Sequence, residues 1–382
     1  MQITSFEPRE KLLHGPGPSS VHPRTLQAMA KPTIGHLDPE FVQFMEEVKE
    51  LLKSVMDTKN KLTFPVSGPG SVGMETCFVN LVEPGDRVVV CVNGVFGQRM
   101  VENVKRCGGV PLVLNFPWGR VVQAETLREF LQQQTRDGAI KAVAFVHAET
   151  STGALSDAKS IVSIIREMNC LSIMDAVTSV AGVPVLLDEW RVDACYSGSQ
   201  KCLSCPPGLS PVSFNERALQ AIQMRKKPVQ SWFMDLSLVQ KYWDIQGQAS
   251  RTYHHTAPIN LLYALHESLV LLHQEGKSIV WQRHRDTAAL LKQGLLDLGF
   301  TYLVPEAEQM PQLHVVILPE SVRANEAAIR STLLNQYNME IGGGLGELAG
   351  RVWRIGLMGH SARKENVGKI LEGISHAISQ PF

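Results

Sequence analysis

A lysine set among small residues is the first candidate for chemistry in this sequence. Lys201 lies in the stretch SGSQKCLSCPPG, directly after the short run DACYSG, which we predict to be a strand. If the side chain is partly buried at the end of that strand, the pKa of its amine falls and more of it is neutral, as a Schiff-base lysine requires. A lone lysine is more often a solvated surface group, so the interpretation depends on which other groups reach the same place.

The same stretch contains Cys202 and Cys205 in a C-x-x-C spacing, which could bind a metal ion or form a disulfide. A structural zinc site would need further ligands, and no second cysteine pair has that spacing. The seven cysteines, an odd number, favour reduced thiols in a cytoplasmic protein. His254 and His255 are another possible metal pair, but adjacent residues of an extended segment point apart and no third ligand stands at a suitable spacing. We therefore expect no metal site.

Two further features change the interpretation of the lysine. Asp175 ends the apolar run LSIMD, where a carboxylate needs a partner; a pyridinium nitrogen would serve, and a helix N-cap or a loop ion pair is the simpler alternative. The glycines at 68, 70 and 73 lie in SGPGSVGMET, which opens a predicted helix and could hold a phosphate on its backbone N–H groups. Their spacing does not match G-x-G-x-x-G, which counts against a nucleotide-binding α/β protein in which the lysine is only structural.

The elements between these residues must bring them together. Short, nearly all-apolar runs predict strands at RVVVCV, VPLVLN, KAVAFVH and LSIMD, with helical patterns between them at 124–134 and 157–168. Continuous apolar runs that alternate with helices are typical of a parallel sheet buried on both faces. Ligands of such sheets bind at the carboxyl ends of the strands, and polar residues follow three of the runs, at 93–94, at 147–153 and at Asp175.

The sequence divides into three regions. We predict an N-terminal arm over residues 1–22, which contains the Gly- and Pro-rich HGPGPSS, a large domain over 23–275 and a smaller α+β domain over 276–382. With 37 basic and 37 acidic residues, the 382-residue chain has no net field that would draw it to nucleic acid or a membrane. The first residues carry no apolar segment of the signal-peptide kind, and no uncharged apolar run reaches the ~18 residues of a membrane span. We expect a cytoplasmic protein with small-molecule partners and without nucleic-acid or membrane partners.

In their order along the chain these segments resemble a known family. SGPGS, NGVFGQR, HAETSTG, MDAVTS and GSQK, together with LLHGPGPS, YHHTAP and RIGLMGHSARKENV, extend over nearly the whole sequence. The pattern is similar to that of the class V aminotransferases, which are pyridoxal-phosphate-dependent enzymes of fold type I. The resemblance implies an α/β fold with a mainly parallel seven-stranded sheet in the large domain, a smaller C-terminal α+β domain, pyridoxal 5′-phosphate as cofactor, and a homodimer.

The resemblance also implies a role for each candidate residue. Lys201 would form the internal aldimine and carry the proton between the substrate Cα and the cofactor C4′, and Asp175 would pair with the pyridine nitrogen. The remaining implied contacts are Phe96 on the ring face, Ser151 beside the phenolic oxygen, Gly70, Ser71 and Gln200 on the phosphate, Tyr253 and Thr256 on the phosphate of the partner subunit, and Arg354 on the substrate carboxylate. Where many relatives have serine this chain has Pro69, which offers no N–H, so the amides of the following residues must serve.

The implied activity is a ping-pong transfer of the amino group from a small L-amino acid, first alanine and then serine, to glyoxylate, which gives glycine and a 2-oxo acid. Class V aminotransferases that act on serine, aminoethylphosphonate or ureidoglycine share the cofactor residues and stay open as alternatives. A cysteine desulfurase needs a mobile cysteine far along the chain, and the last cysteine here is Cys205. An inactive scaffold is disfavoured because Lys201, Asp175 and Arg354 are all present.

Overall fold

A seven-stranded sheet forms the centre of the molecule, in a computed structural model that describes residues 4–243 and 252–380. Its strands are β1 (Leu62–Ser67), β2 (Arg87–Val92), β3 (Val110–Asn115), β4 (Ala142–Val146), β5 (Leu171–Asp175), β6 (Ala194–Tyr196) and β7 (Leu209–Phe214). Their order across the sheet is β1-β7-β6-β5-β4-β2-β3, and β7 runs antiparallel to both of its neighbours while the other pairs are parallel. The mainly parallel α/β fold that the sequence predicts is therefore confirmed.

The burial of the strands follows their place in the sheet. All residues of β4 and β5, in the middle, are buried, as in parallel sheets that are covered on both faces. By contrast β3 is only partly buried, although its sequence VPLVLN is almost as apolar, because it is the edge strand. The parallel strands β2, β4 and β5 end at the same edge of the sheet, so the polar residues that follow them are brought together there.

Helices flank the central sheet and also occur in the C-terminal part of the chain. They are α1 (Pro23–Met29), α2 (Pro39–Met56), α3 (Gly70–Leu81), α4 (Val95–Arg106), α5 (Ala124–Gln134), α6 (Ala158–Glu167), α7 (Leu187–Trp190), α8 (Glu216–Gln223), α9 (Leu236–Trp243), α10 (Ile259–Glu275), α11 (Lys277–Asp297), α12 (Glu320–Arg323), α13 (Glu326–Gln336) and α14 (Lys364–Ser379). The helical patterns at 124–134 and 157–168 correspond to α5 and α6, and α6 begins after Asp157, whose side chain accepts a hydrogen bond from the Ser160 amide. Among the helices in the described ranges, none combines the length and the hydropathy of a membrane span.

A second, antiparallel sheet lies in the C-terminal part of the chain. It consists of β8 (Thr301–Tyr302), β9 (Leu313–Ile317), β10 (Gly342–Gly343) and β11 (Val352–Gly356), in the order β8-β9-β11-β10. It has its own hydrophobic core, in which the buried Trp353 packs against Phe300 with the ring centroids 5.5 Å apart. The helices α10 and α11 meet at Gly276. This is the residue at which the sequence predicts the start of the small domain. The domain limits stay a prediction.

The N-terminal arm is tied to this second sheet. Leu12–Leu13 pairs in parallel with Met339–Glu340, and the Gly356 amide donates a 2.7 Å hydrogen bond to the carbonyl of His14. The following residues, 15–19, pass from the small sheet to the loop between β6 and β7. The arm therefore connects the C-terminal sheet with the lysine loop.

Candidate active site

Lys201 lies in the loop between β6 and β7 and is covered by the N-terminal arm. Its Nζ donates a hydrogen bond to the carbonyl of Pro16, and the Ser19 hydroxyl donates one of 2.6 Å to the carbonyl of Lys201. Burial lowers the pKa of the Lys201 amine to about 8, and the positive charge of Arg354 adds to that effect. The lowered pKa that we expected from a buried lysine is thus present, and it leaves a substantial neutral fraction near pH 8.

Asp175 ends β5, and its carboxylate is held from both sides. Oδ1 accepts a hydrogen bond from the Val177 amide at 2.8 Å, and Oδ2 accepts one from the Tyr196 hydroxyl at 2.7 Å. Burial raises the pKa of Asp175 to about 7, whereas these hydrogen bonds and the charge of Lys201 act in the opposite direction. A cationic ring nitrogen placed against this carboxyl would lower its pKa and keep it ionised.

The first turn of α3 has no side-chain cap, and its backbone N–H groups are therefore available to an anion. Pro69 occupies the N-cap in an extended conformation, and no side chain caps the helix, so the N–H groups of the next residues face outward. The missing N–H of proline therefore falls at the cap, and Gly70 and Ser71 supply the first amides. An ideal Cβ on Gly70 would lie 3.2 Å from the side chain of Val177, which shows how closely the helix start approaches the loop after Asp175.

Gln200 faces the same region. An ideal Cβ on Gly198 would lie 3.3 Å from Val177 and 2.9 Å from the amide oxygen of Gln200, so Val177 is shared by the start of α3 and the lysine loop. The side-chain oxygen of Gln200 is buried and has no hydrogen-bond partner among the described residues. A buried amide oxygen without a partner, next to an uncapped helix start, fits a phosphate group if the amide turns its N–H₂ toward it.

Phe96 stands in the first turn of α4, and its ring packs partly buried against the core of the large domain. The guanidinium carbon of Arg99 lies 4.8 Å from the centroid of that ring. The backbone amide of Phe96 donates a 3.2 Å hydrogen bond to the carboxylate of Glu149. The structure thus fixes the aromatic residue through its backbone as well as through packing.

Ser151 is held inside its own loop. Its hydroxyl donates to the Glu149 carboxylate at 2.6 Å and accepts a hydrogen bond from the Val95 amide at 3.0 Å. Because the single O–H donor of Ser151 already points to Glu149, a second donation to a phenolic oxygen would need a rearrangement. The role implied by the resemblance stays a prediction.

Arg354 is in β11, and only 7% of its surface is exposed. Nε donates to the carbonyl of Gly343 at 2.7 Å, and one terminal nitrogen makes a longer contact of 3.4 Å with the carbonyl of Thr150. Burial lowers the pKa of Arg354 to about 10, although the negative charge of Glu149 opposes this. No carboxylate among the described residues forms an ion pair with this buried guanidinium, which is the condition expected of an arginine that binds a substrate carboxylate.

Tyr253 and Thr256 are not part of this group of side chains. The Tyr253 side chain is largely exposed, its ring centroid lies 5.2 Å from that of His36, and its hydroxyl is 3.5 Å from that of Thr256. Both residues are therefore accessible to another molecule, and their place in a partner subunit's site stays a prediction.

The two residue pairs that could suggest a metal site are Cys202 with Cys205 and His254 with His255. Cys202 and Cys205 are buried free thiols, and burial raises the pKa of each to about 12. The Nδ1 atoms of His254 and His255 lie 2.8 Å apart. Within the described ranges no group of three or more histidine, cysteine or acidic side chains is arranged to hold a metal ion.

The sequence patterns did not single out Glu149 and Tyr196, which hydrogen-bond to the predicted site residues Ser151 and Asp175. Glu149 lies in HAETSTG. Like Asp175 it is a carboxylate next to a buried strand, so the same sequence pattern could have identified it. Tyr196 is the last residue of β6 and reads as an ordinary core aromatic, so only the structure reveals its hydrogen bond to Asp175.

Comparison with known proteins gives aminotransferases by family model, by sequence and by structure. Residues 19–349 match the model of the family described as aminotransferase class-V. Over 370 residues the chain is 37% identical to an alanine–glyoxylate aminotransferase of Mus musculus, a match that covers 96% of this chain and 87% of that protein. The crystal structure of an alanine–glyoxylate aminotransferase from Nostoc sp. has a TM-score of 0.94 at 43% identity and covers 99% of this chain and 98% of its own. That of a ureidoglycine–glyoxylate aminotransferase from Bacillus subtilis has a TM-score of 0.93 at 35% identity and covers 98% and 94%.

Proposed function

This chain belongs to the class V aminotransferase family, and on that premise we propose that it uses pyridoxal 5′-phosphate to transfer the amino group of a small L-amino acid, first alanine, to glyoxylate. The observation that carries the proposal is the buried pair Lys201 and Asp175. The pKa of the amine is lowered to about 8 and the pKa of the carboxyl is raised to about 7, so burial moves both groups toward their neutral forms. A cofactor with an aldehyde and a basic ring nitrogen complements the two groups at once.

The residues present fit this cofactor. Asp175 would face the ring nitrogen, Phe96 the ring, and the amides of Gly70 and Ser71 with the side chain of Gln200 the phosphate. When bound, pyridoxal phosphate supplies an electron sink for the electron pair released at the substrate Cα. The chain itself supplies orientation and charge.

Lys201 and Arg354 would divide the remaining work. The neutral amine of Lys201 accepts the proton from the substrate Cα and later returns one, which its lowered pKa permits near neutral pH. The guanidinium of Arg354 binds the α-carboxylate with its planar fork, both for the amino acid and for the 2-oxo acid. One site can therefore serve both half-reactions.

The choice of glyoxylate as the amino acceptor is better supported than the choice of the amino donor. The Mus musculus and Nostoc proteins are named for alanine and glyoxylate, and the Bacillus subtilis protein for ureidoglycine and glyoxylate. Glyoxylate is common to all three names, whereas the donor differs at nearly the same overall similarity. We therefore keep ureidoglycine as the second candidate donor.

We further propose that the enzyme is a homodimer in the cytoplasm. The exposed Tyr253 and Thr256 would reach the phosphate of the partner subunit. The seven cysteines are all free and buried thiols, which suits a reducing compartment.

Titration with the cofactor tests the first part of this proposal. When pyridoxal phosphate is added to protein freed of cofactor and the unbound cofactor is then removed by gel filtration, the wild type should be yellow and Lys201→Ala should not. Lys105→Ala, an exposed lysine on α4, is the matched control and should behave like the wild type. A wild type that is colourless after the unbound cofactor has been removed would refute the proposal.

Single-turnover spectra separate the substrates. The loaded enzyme is mixed with L-alanine, L-serine, aminoethylphosphonate or ureidoglycine, and the product form is then mixed with glyoxylate or pyruvate. We expect alanine and glyoxylate to give the fastest pair of half-reactions. If ureidoglycine reacts and alanine does not, the donor assignment is wrong and the alternative holds.

A further inference from the structure

Glu149 is a fully buried carboxylate that the implied roles leave without a function. It lies in the short hairpin formed by Ala148–Glu149 and Ala154–Leu155, directly after β4. Both of its oxygens accept hydrogen bonds. Oε1 accepts from the amide and the hydroxyl of Ser151 at 3.0 and 2.6 Å, and Oε2 accepts from the amide of Phe96 at 3.2 Å.

The carboxylate serves as the cap of α4. The Phe96 amide donates to it directly, and the Val95 amide donates to the Ser151 hydroxyl that Glu149 orients. Gly94, the residue before the helix, carries no side-chain cap. A negative charge at a helix N-terminus is stabilised by the unpaired N–H groups and by the helix dipole, so Glu149 sets the position of the first turn and of Phe96 within it.

Gly94 provides the space for this contact. An ideal Cβ at Gly94 would overlap the Ser151 hydroxyl and the carboxyl end of Glu149. The backbone of Gly94 is extended, with φ 172°, so the position requires glycine for the close approach and not for its conformation. A methyl group there would displace the carboxylate without changing its chemistry.

Glu149 also acts on the substrate side of the site. The next residue, Thr150, offers its carbonyl to the terminal nitrogen of Arg354 at 3.4 Å. The negative charge of Glu149 opposes the effect of burial on the guanidinium. The same side chain is thus linked to the aromatic platform through α4 and to the carboxylate-binding arginine through its own loop.

We propose, on the basis of the function proposed above, that Glu149 is a positioning residue that fixes the Phe96 ring against the cofactor and holds the loop that contacts Arg354. Removing the charge should therefore weaken cofactor binding and raise the KM for the amino acid together. A residue that only stabilises the fold would lower the melting temperature without these two effects.

The test compares Glu149→Gln with Asp193→Asn. Asp193 is an equally buried carboxylate of the same domain, and it accepts a hydrogen bond from the Ser172 amide and pairs with Arg217 at 3.1 Å. Cofactor-free protein of each variant is titrated with pyridoxal phosphate, and the visible circular dichroism of the bound cofactor reports the setting of its ring. Melting temperature, KM and kcat are recorded in parallel.

We expect Glu149→Gln to raise the Kd for pyridoxal phosphate about tenfold, the effect of one charge-assisted hydrogen bond, and to change the dichroism. Asp193→Asn should lower the melting temperature and leave Kd and dichroism within about twofold of the wild type. If Glu149→Gln binds the cofactor like the wild type, the inference is wrong while the proposed function stands. If the wild type does not bind it, both are refuted.

Gly94→Ala keeps the test decisive if Glu149→Gln fails to fold. It should reproduce the weaker cofactor binding because the added methyl group displaces the carboxylate. Gly35→Ala is its matched control, since a Cβ at Gly35 meets no atom within 4 Å. Equal cofactor affinity in the two glycine variants would contradict the inference.

Discussion

At the scale of single residues, burial shifts the pKa values of Lys201 and Asp175 in opposite directions. Burial destabilises the charged form of each group, so it lowers the pKa of the amine and raises that of the carboxyl. Among the neighbours that then modulate these pKa values are Arg354 for the lysine and Tyr196 for the aspartate. These two neighbours can be changed without altering either reactive group.

Tyr196→Phe should weaken cofactor binding. The substitution removes the hydroxyl that donates to Asp175, so the pKa of Asp175 rises further and less carboxylate is available for a ring nitrogen. We expect a roughly tenfold increase in the Kd for pyridoxal phosphate, growing as the pH falls below about 7. Tyr302→Phe, which removes a buried hydroxyl 2.6 Å from His314, is the control and should leave the Kd unchanged.

Arg354→Gln should shift the pH dependence of cofactor capture. The neutral amine is the form that reacts, so in the wild type the rate of capture by cofactor-free protein should rise as the pH passes about 8. Because the charge of Arg354 lowers the pKa of Lys201, its loss should move this midpoint upward. Stopped-flow absorbance across the pH range measures the effect, and the exposed Arg351→Gln should show none.

At the scale of elements, α3 depends on its close contact with the sheet. Gly73 faces β6 and β7, and an ideal Cβ there would overlap the hydroxyl of Ser210 and lie 3.1 Å from the Cβ of Tyr196. The start of this helix, whose amides we propose to bind the cofactor phosphate, is therefore positioned by a glycine one turn further along. Glycine is required by packing at this point, since its backbone is helical.

Gly73→Ala should destabilise the protein by about 1–3 kcal/mol, the usual cost of overpacking a buried contact. Gly368→Ala in α14, where a Cβ meets no atom within 4 Å, should instead stabilise it by about 0.5–1 kcal/mol through helix propensity. Urea unfolding of the two variants measures the opposite signs. Stabilisation by Gly73→Ala would show that α3 is not packed as described.

At the scale of the whole molecule, the predicted dimer can be tested by complementation. Lys201→Ala and the double variant Tyr253→Ala/Thr256→Ala should each have little activity alone. If Tyr253 and Thr256 serve the partner's site, a mixed dimer has one site with both defects and one site that is intact. Refolding equal amounts of the two variants together makes about half of the dimers mixed, so the preparation should recover up to about a quarter of the wild-type activity. No recovery would place the two residues in their own subunit's site.

The sequence predicted the parts of the molecule that depend on local pattern. Apolar runs gave β2, β3 and β5 at their observed bounds, and the order of short motifs gave the family. It did not predict the role of Glu149 or Tyr196, because a hydrogen bond to Phe96 or Asp175 is decided by which strands become neighbours. The direction of Ser151 toward Glu149 was also missed, although this contact joins residues only two apart in one loop.

The arm that covers Lys201 also has a consequence for the order in which the molecule can be completed. In the small sheet its hydrogen-bonding partners are Met339–Glu340 and Gly356, more than three hundred residues further along the chain. During synthesis the arm leaves the ribosome long before these partners and cannot pair with the small sheet until they have followed. Protease cleavage of the arm in ribosome-stalled chains that end before residue 339, compared with complete chains, tests this order. In a growing chain that ends before residue 339 the arm therefore lacks its partners in the small sheet, and the cover over Lys201 is completed only after Gly356 has been added.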